Sequence, residues 1–316
     1  MWSHLPEEGF DARASFERHY GDIRRLWSGY TRQGVLVLAF DRRHGLLGEV
    51  WLKASLDRPR AAIVGRHSMC DLMVTSEHVS VALRHLAIVT QAVSHDDICV
   101  RVFDLNTSVG FGVEDGRSLQ GVSSDGPMFL RVGAVDLMLL PTPAGFELPE
   151  DAATTYQTLP PRVFIDERVG RAEYRPRRAP VPAPERVPGQ TSVRMGQGPM
   201  MVAQGLLGAG ERPAGHLVVR GGGGVLRQPM GPAALKRGVL VGRYPRCEFG
   251  SMEASDDSKL SRVHLMVVDT GDGPVAVDTA STNGTMVDGR ELRLCRLVDG
   301  EPITLAGAVE LVWQAA

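Results

Sequence analysis

The spacing of hydrophobic positions changes character twice along the chain. Between residues 10 and 33, Phe16, Tyr20, Ile23, Leu26, Trp27 and Tyr30 recur at intervals of three and four, with charged residues between them. That period predicts an amphipathic helix. So short a helix is marginal alone and should pack on a neighbour. After Gly34 the period shortens. GVLVLAF, EVWLKASL, AAIVG, HLAIVTQAV, ICVRVFDL, MFLRV and VDLMLLP are short apolar or alternating runs, separated by Gly, Asp, Asn and Ser. Many short strands at such spacing predict a β-sandwich or barrel.

From Thr142 to Pro213 the alternation fades, except in RVFIDERV, and Pro, Gly, Ala and Arg dominate. Such composition reads as a flexible linker, with PVPAP favouring extended polyproline II and GPMMVAQGLLG apolar enough to dock. Strand texture returns at His216 with HLVVR, GVLVG, VHLMVVD, VAVDT, ITLAG and VELVW. The expected organisation is a helical extension (1–33), a β-domain (34–141), a linker (142–213) and a second β-domain (214–316).

Composition narrows the classes. In 316 residues, 43% hydrophobic and 23% charged content is ordinary for a globular chain and argues against global disorder. A formal net charge of −2 gives no long-range pull toward nucleic acid or an anionic membrane. Aromatics at 6% leave little for stacking single strands. The cysteines, Cys70, Cys99, Cys247 and Cys295, form no CxxC pair and have no His at zinc-ligand spacing. They are expected to be reduced, mostly buried thiols in a cytoplasmic protein, with no metal and no cofactor. MWSHLPEEGF lacks the pattern of a signal peptide, and no run reaches the ~18 apolar residues of a membrane span.

The two β-rich halves repeat each other. GRHSMCDL (65–72) aligns without a gap on GRYPRCEF (242–249), RHLAIV (84–89) on VHLMVV (263–268), and DLNTSVGFGVEDGR (104–117) on DTASTNGTMVDGR (278–290), with one extra residue in the first copy. Two copies of one β-domain explain the shared order.

The second copy places Gly242-Arg243, then Ser261-Arg262-Val263-His264, then Ser281-Thr282-Asn283-Gly284-Thr285 between strands. GR, SxxH and a loop ending in NG, in that order, resemble the forkhead-associated (FHA) domain. The resemblance covers Gly215–Trp313 well and Gly34–Pro141 less well. It implies an all-β protein of two FHA-like sandwiches, the second with an intact motif and the first degenerate.

The chemistry of the second copy suits a phosphorylated side chain, which brings about −1.5 to −2 of charge and three acceptor oxygens. Arg243 offers a planar fork of donors, Arg262 a second cation, and Ser261 and Thr282 offer hydroxyls. Two or three charge-assisted bonds of about 1.5–3 kcal/mol each suit micromolar affinity, near −8 kcal/mol. The resemblance assigns Arg243 and Ser261 to the phosphate, Arg262 and Thr282 to its flanks, and Asn283 to the peptide main chain. Gly242, His264 and Gly284 then support the site. Lys259 would favour an acidic residue three positions after the phosphothreonine, an expectation opposed by Glu253, Asp256 and Asp257 in the same loop. Taken alone, Asn283-Gly284 between strands reads as an ordinary hairpin turn.

In the first copy, Ala82 stands where the second has Ser261, Leu83 where it has Arg262, and Val109 where it has Asn283. Arg66 remains, Ser108 could replace Thr282, and Ser80 falls two residues early for the serine position. This copy is expected to have lost phosphothreonine binding, with Arg66 inherited or bonded within the fold.

Enzyme motifs are missing. There is no P-loop, since the GGGG at 221–224 lacks a following Lys, and there is no GxSxG, HExxH or kinase set. The expected function is that of a phosphothreonine-peptide-binding adaptor downstream of a Ser/Thr kinase. Its partner would be a phosphothreonine protein, either a Ser/Thr kinase or its substrate, with neither nucleic acid nor membrane as a ligand. Thr154, Thr155, Thr158 and Thr191 in the linker are candidate intramolecular phosphothreonines. The alternative is a scaffold of two sandwiches that docks partners without phosphate.

Overall fold

The computed structural model describes residues 10–74, 81–94, 97–107, 109–142, 148–167, 189–199, 206–221, 224–249 and 259–316. Ser80, Ser108, Glu253, Asp256, Asp257, the PVPAP segment and most of GPMMVAQGLLG lie outside these residues.

The N-terminal helical pattern becomes two helices, α1 (Ala12–Arg18) and α2 (Tyr20–Trp27), rather than one. Asp11 caps α1, its carboxylate accepting from the Ala14 amide at 2.9 Å. His19 leaves helical geometry, and its ring stacks on Phe40 with centroids 4.3 Å apart. This break lets Phe16, Tyr20, Ile23 and Trp27 all lie on the sheet below.

That sheet belongs to the first sandwich, built from β1 (Gly34–Asp41), β2 (Gly45–Lys53), β3 (Arg60–Gly65), β4 (Leu72–Met73), β5 (Leu86–Ala92), β6 (Ile98–Asp104), β7 (Phe111–Val113), β8 (Ser118–Leu119), β9 (Gly121–Ser124), β10 (Met128–Val132) and β11 (Val135–Thr142). One sheet runs β2-β1-β11-β10-β7-β8. In β1, Val35, Val37 and Ala39 point into the sandwich, while Leu36, Leu38 and Phe40 meet the helices. Burial on both faces explains the unbroken apolar run.

The 142–213 stretch is not uniformly a linker. It supplies α3 (Ala152–Thr158), β12 (Arg162–Asp166) and β13 (Thr191–Gly196) to the first sandwich. Strand β13 pairs antiparallel with β9, and β12 runs parallel to β13. The second sheet is therefore β12-β13-β9-β6-β5-β3-β4. Val193 and Met195 enter the core while Ser192 and Arg194 face out. A six-residue alternation inside Pro/Gly-rich sequence is too short to stand out. Tyr156 of α3 lies 5.3 Å from the Phe16 ring and 5.7 Å from Phe129.

The second sandwich comprises β14 (Gly215–Gly221), β15 (Gly224–Met230), α4 (Pro232–Arg237), β16 (Val239–Val241), β17 (Leu265–Asp269), β18 (Pro274–Asp278), β19 (Thr285–Val287), β20 (Arg290–Glu291), β21 (Leu294–Arg296), β22 (Pro302–Leu305) and β23 (Val309–Ala315). Its sheets are β15-β14-β23-β22-β19-β20 and β16-β17-β18-β21. They reproduce β2-β1-β11-β10-β7-β8 and β3-β5-β6-β9 strand for strand. Even the short β3–β4 pairing recurs, as a parallel bridge between Val241 and Phe249. The internal repeat in the sequence is thus a repeat of fold.

The two sandwiches share an apolar interface. Strands β5 and β17 each turn alternate residues inward, Leu86 and Ile88 in one, Leu265 and Val267 in the other. Their opposite faces meet: Ile63, Ala87, Val89 and Phe103 pack in one cluster with Leu240, Met266, Val268 and Val277. These are equivalent positions of the two copies, so the contact is nearly self-complementary, like an isologous dimer within one chain. Cys70 and Cys247 are buried in the same cluster, their thiols donating to the carbonyls of Leu83 and Arg262 at 3.3 Å each. Burial pushes the Cys247 thiol up to about 12. Cys99 and Cys295 are only partly buried. Among the described residues, no helix is long and apolar enough to cross a membrane.

Candidate functional site

The three motif segments of the second copy converge at one end of its sandwich. The backbone after β16 runs beside that preceding β17: the Arg243 amide donates to the Ser261 carbonyl at 3.1 Å and the Tyr244 amide to the Arg262 carbonyl at 2.9 Å. Gly242 is required for this approach, because a Cβ there would lie 2.4 Å from the Arg262 carbonyl oxygen. Gly65 meets the same constraint against Leu83, at 2.3 Å.

His264 is fully buried and joins two loops. Its Nδ1 accepts from the Ser261 amide at 3.2 Å, and its Nε2 donates to the Gly284 carbonyl at 3.1 Å. One acceptor and one donor define the neutral Nε2–H tautomer. Burial holds its pKa below the ordinary histidine value, opposed by the nearby Asp278 carboxylate and by the hydrogen bond to Gly284. His85 makes the same pair of bonds in the first copy, to the Ala82 amide at 2.9 Å and the Gly110 carbonyl at 2.9 Å.

The loop from Asp278 to Gly284 is not a two-residue Asn-Gly hairpin. Gly284 has φ +72°, whereas Asn283 does not enter the left-handed region; Ala280 does, at φ +60°. The true two-residue turn is Asp288-Gly289, with φ +48° and +74°, joining β19 to β20. Buried Asp278 organises the longer loop. Its carboxylate accepts from the Ser281 amide at 2.8 Å, the Ser281 hydroxyl at 2.6 Å and the Thr285 hydroxyl at 2.7 Å. Asp104 does likewise with the Thr107 amide and hydroxyl, at 2.8 and 2.6 Å. Asp278 was missed as a site residue. The signal was the acid followed three residues later by a hydroxyl in both copies.

The folded loops carry the remaining residues, of which Ser261 is buried. Ser261 Oγ accepts from the Thr282 amide at 2.9 Å and donates to Thr282 Oγ1 at 3.5 Å, a long bond that a stronger acceptor would replace. Asn283 Nδ2 donates to the Lys259 carbonyl at 2.7 Å, which fixes the orientation of its carboxamide. Arg243, Arg262, Thr282, Asn283 and Lys259 are all exposed. Among the described residues, no carboxylate pairs with Arg243 or Arg262. The loop end thus holds two exposed guanidinium groups beside hydroxyls and an oriented amide, on a frame fixed by buried hydrogen bonds.

The equivalent end of the first copy differs in chemistry, not in frame. Leu83 and Val109 are exposed, at 46% and 60%. Arg66 turns its Nε onto the Val81 carbonyl, so the retained arginine serves the loop.

Residues 239–306 match the FHA domain family. The match lies within the second sandwich, whose strand order the first sandwich shares. No curated protein matches the chain. Among solved structures, the chain is similar to the Rv1747 FHA-1 domain of Mycobacterium tuberculosis at 22% identity, covering 33% of this chain and 99% of that one with a TM-score of 0.26. It is similar to the FhaA FHA domain, solved in complex with the intracellular domain of Rv3910, at 25% identity over 32% and 99%, TM-score 0.26. It is also similar to the FHA domain of CT664 from Chlamydia trachomatis at 20% identity over 34% and 96%, TM-score 0.27. FHA domains are phosphothreonine-binding modules of signalling proteins and act as binding modules rather than enzymes.

Proposed function

We propose that the chain is a phosphothreonine-peptide-binding signalling adaptor, acting through its second sandwich and downstream of a Ser/Thr kinase. The observation that carries this reading is the exposed pair Arg243 and Arg262 on the loops that also bring the Ser261 and Thr282 hydroxyls together. A phosphate placed there meets cations and hydroxyl donors that need little reorganisation, since His264 and Asp278 already fix the loops. Asn283, aimed by its bond to Lys259, holds the peptide main chain, and Lys259 favours an acidic residue after the phosphothreonine. The first sandwich, with Leu83 and Val109 at the matching positions, takes no phosphate and serves as a structural module.

The partner is a phosphothreonine protein, either a kinase or its substrate. An intramolecular ligand is restricted by burial. Thr155 and Thr191 are 2% and 1% exposed, and the Thr155 hydroxyl is bonded to Tyr20 and Asp151, so neither is the accessible linker residue expected from composition. Thr154 and Thr158 are exposed and remain candidates. A phosphothreonine-peptide array probed with the full chain and with Ser261→Ala tests the function. Phosphate-dependent spots that disappear in the variant are expected. Equal binding to unphosphorylated peptides would instead favour the phosphate-independent scaffold.

A further inference from the structure

The first sandwich reaches directly into the loops of the second sandwich's site. Arg84, in the turn before β5, donates from Nε and Nη2 to the Ala280 carbonyl at 2.8 and 2.6 Å. Its Nη2 also lies 3.4 Å from Thr282 Oγ1. Ala280 is fully buried and left-handed, at φ +60°, a conformation an L-residue with a Cβ resists. The equivalent residue in the first copy, at φ +58°, is Asn106, a type that tolerates this region. Asn106 in turn donates through Nδ2 to the Arg246 carbonyl at 2.6 Å, on the loop that begins with Gly242-Arg243. Each wall of the site is therefore tied by one side chain from the other sandwich.

We propose that Arg84 is a positioning residue of the phosphothreonine site, and that the first sandwich serves as a built-in clamp holding the second one's loops in binding geometry. This rests on the function proposed above for that site. The bidentate grip on Ala280 fixes the backbone two residues before Thr282, whose amide meets Ser261 Oγ and whose neighbour Asn283 is the main-chain reader. A copy that has lost its own phosphate chemistry then keeps a purpose: without it, the Asp278–Gly284 loop would have to be ordered by the ligand at the cost of affinity.

The test uses the full chain, as wild type, Arg84→Met and Gln91→Ala. Gln91, at the opposite end of β5, bonds Asp272 across the same interface at 2.6 Å and serves as a control for general loosening. Two readouts are taken: amide hydrogen exchange at Thr282 and Asn283 without ligand, and affinity for a degenerate phosphothreonine-peptide pool. Arg84→Met is expected to speed exchange and weaken binding by about tenfold each, the loss of a charge-assisted bond. Gln91→Ala should stay within twofold of wild type in both. Exchange in Arg84→Met within twofold of wild type, or equal effects of the two variants, would overturn the proposal. Should wild type bind no phosphothreonine peptide, the proposed function falls, while the exchange comparison still decides whether Arg84 positions the loop. Arg84→Gln replaces Arg84→Met if the latter does not fold.

Discussion

Replacing His264 by Phe keeps an aromatic ring of similar size and deletes both of its hydrogen bonds. The Ser261 amide, on a residue 6% exposed, loses its acceptor. A buried donor left unpaired costs about 1–3 kcal/mol. The Gly284 carbonyl still accepts from the Ala306 amide at 3.0 Å, so only the second bond there is lost, about 0.5–1.5 kcal/mol. The sum is a destabilisation of about 2–4 kcal/mol, large against the total stability of a domain. The pH dependence is a separate signature. Burial holds His264 below the ordinary histidine value in the folded chain, so the unfolded chain binds the proton more readily. The stability this provides is complete above the unfolded pKa, near 6.5, and is lost as pH falls below it toward the folded pKa, at up to about 1.4 kcal/mol per pH unit. His264→Phe should therefore unfold earlier at pH 7.5 and lose less on going to pH 5.5 than wild type does. Calorimetry at the two pH values measures both effects. Equal stability at pH 7.5, or an unchanged difference between the two pH values, would refute the bracing role assigned to the imidazole.

Asp278→Ala removes the acceptor of one amide and two hydroxyls in a buried loop. It is expected to cost about 3 kcal/mol or more in chemical denaturation and to abolish phosphopeptide binding. Met266→Glu places a carboxylate in the interface between sandwiches, where Met266 is fully buried. Burying a carboxylate among those apolar side chains is costly, so calorimetry should show the two sandwiches unfolding separately rather than together.

The sequence revealed the architecture wherever pattern and repeat reinforced each other. Alternation identified the strands, and Gly242, His264 and Gly284 were legible because a close backbone approach, a buried imidazole bridge and a positive-φ turn each recur in both copies. The signal failed where structure depends on contacts distant in sequence. Strand β13 is ordered because β9 offers it an edge and the core has room for Val193 and Met195. Nothing in TSVRMG itself says so. Thr155 and Thr191 looked accessible for the same reason. The helix break at His19 follows from stacking on Phe40, a contact with a strand. Arg84 was invisible because it acts on a loop nearly two hundred positions away, across an interface whose apolar residues read as ordinary strand alternation.

The central claim concerns Arg243, exposed beside Ser261 with no carboxylate paired to it among the described residues. Isothermal titration of the full chain with a phosphothreonine-peptide pool and its unphosphorylated counterpart, for wild type and Arg243→Ala, tests it most directly. The account predicts binding of the phosphorylated pool alone, weakened about tenfold or more in the variant, as loss of a charge-assisted bond to phosphate requires. Equal affinity of the two proteins, or equal affinity for the two pools, would contradict it.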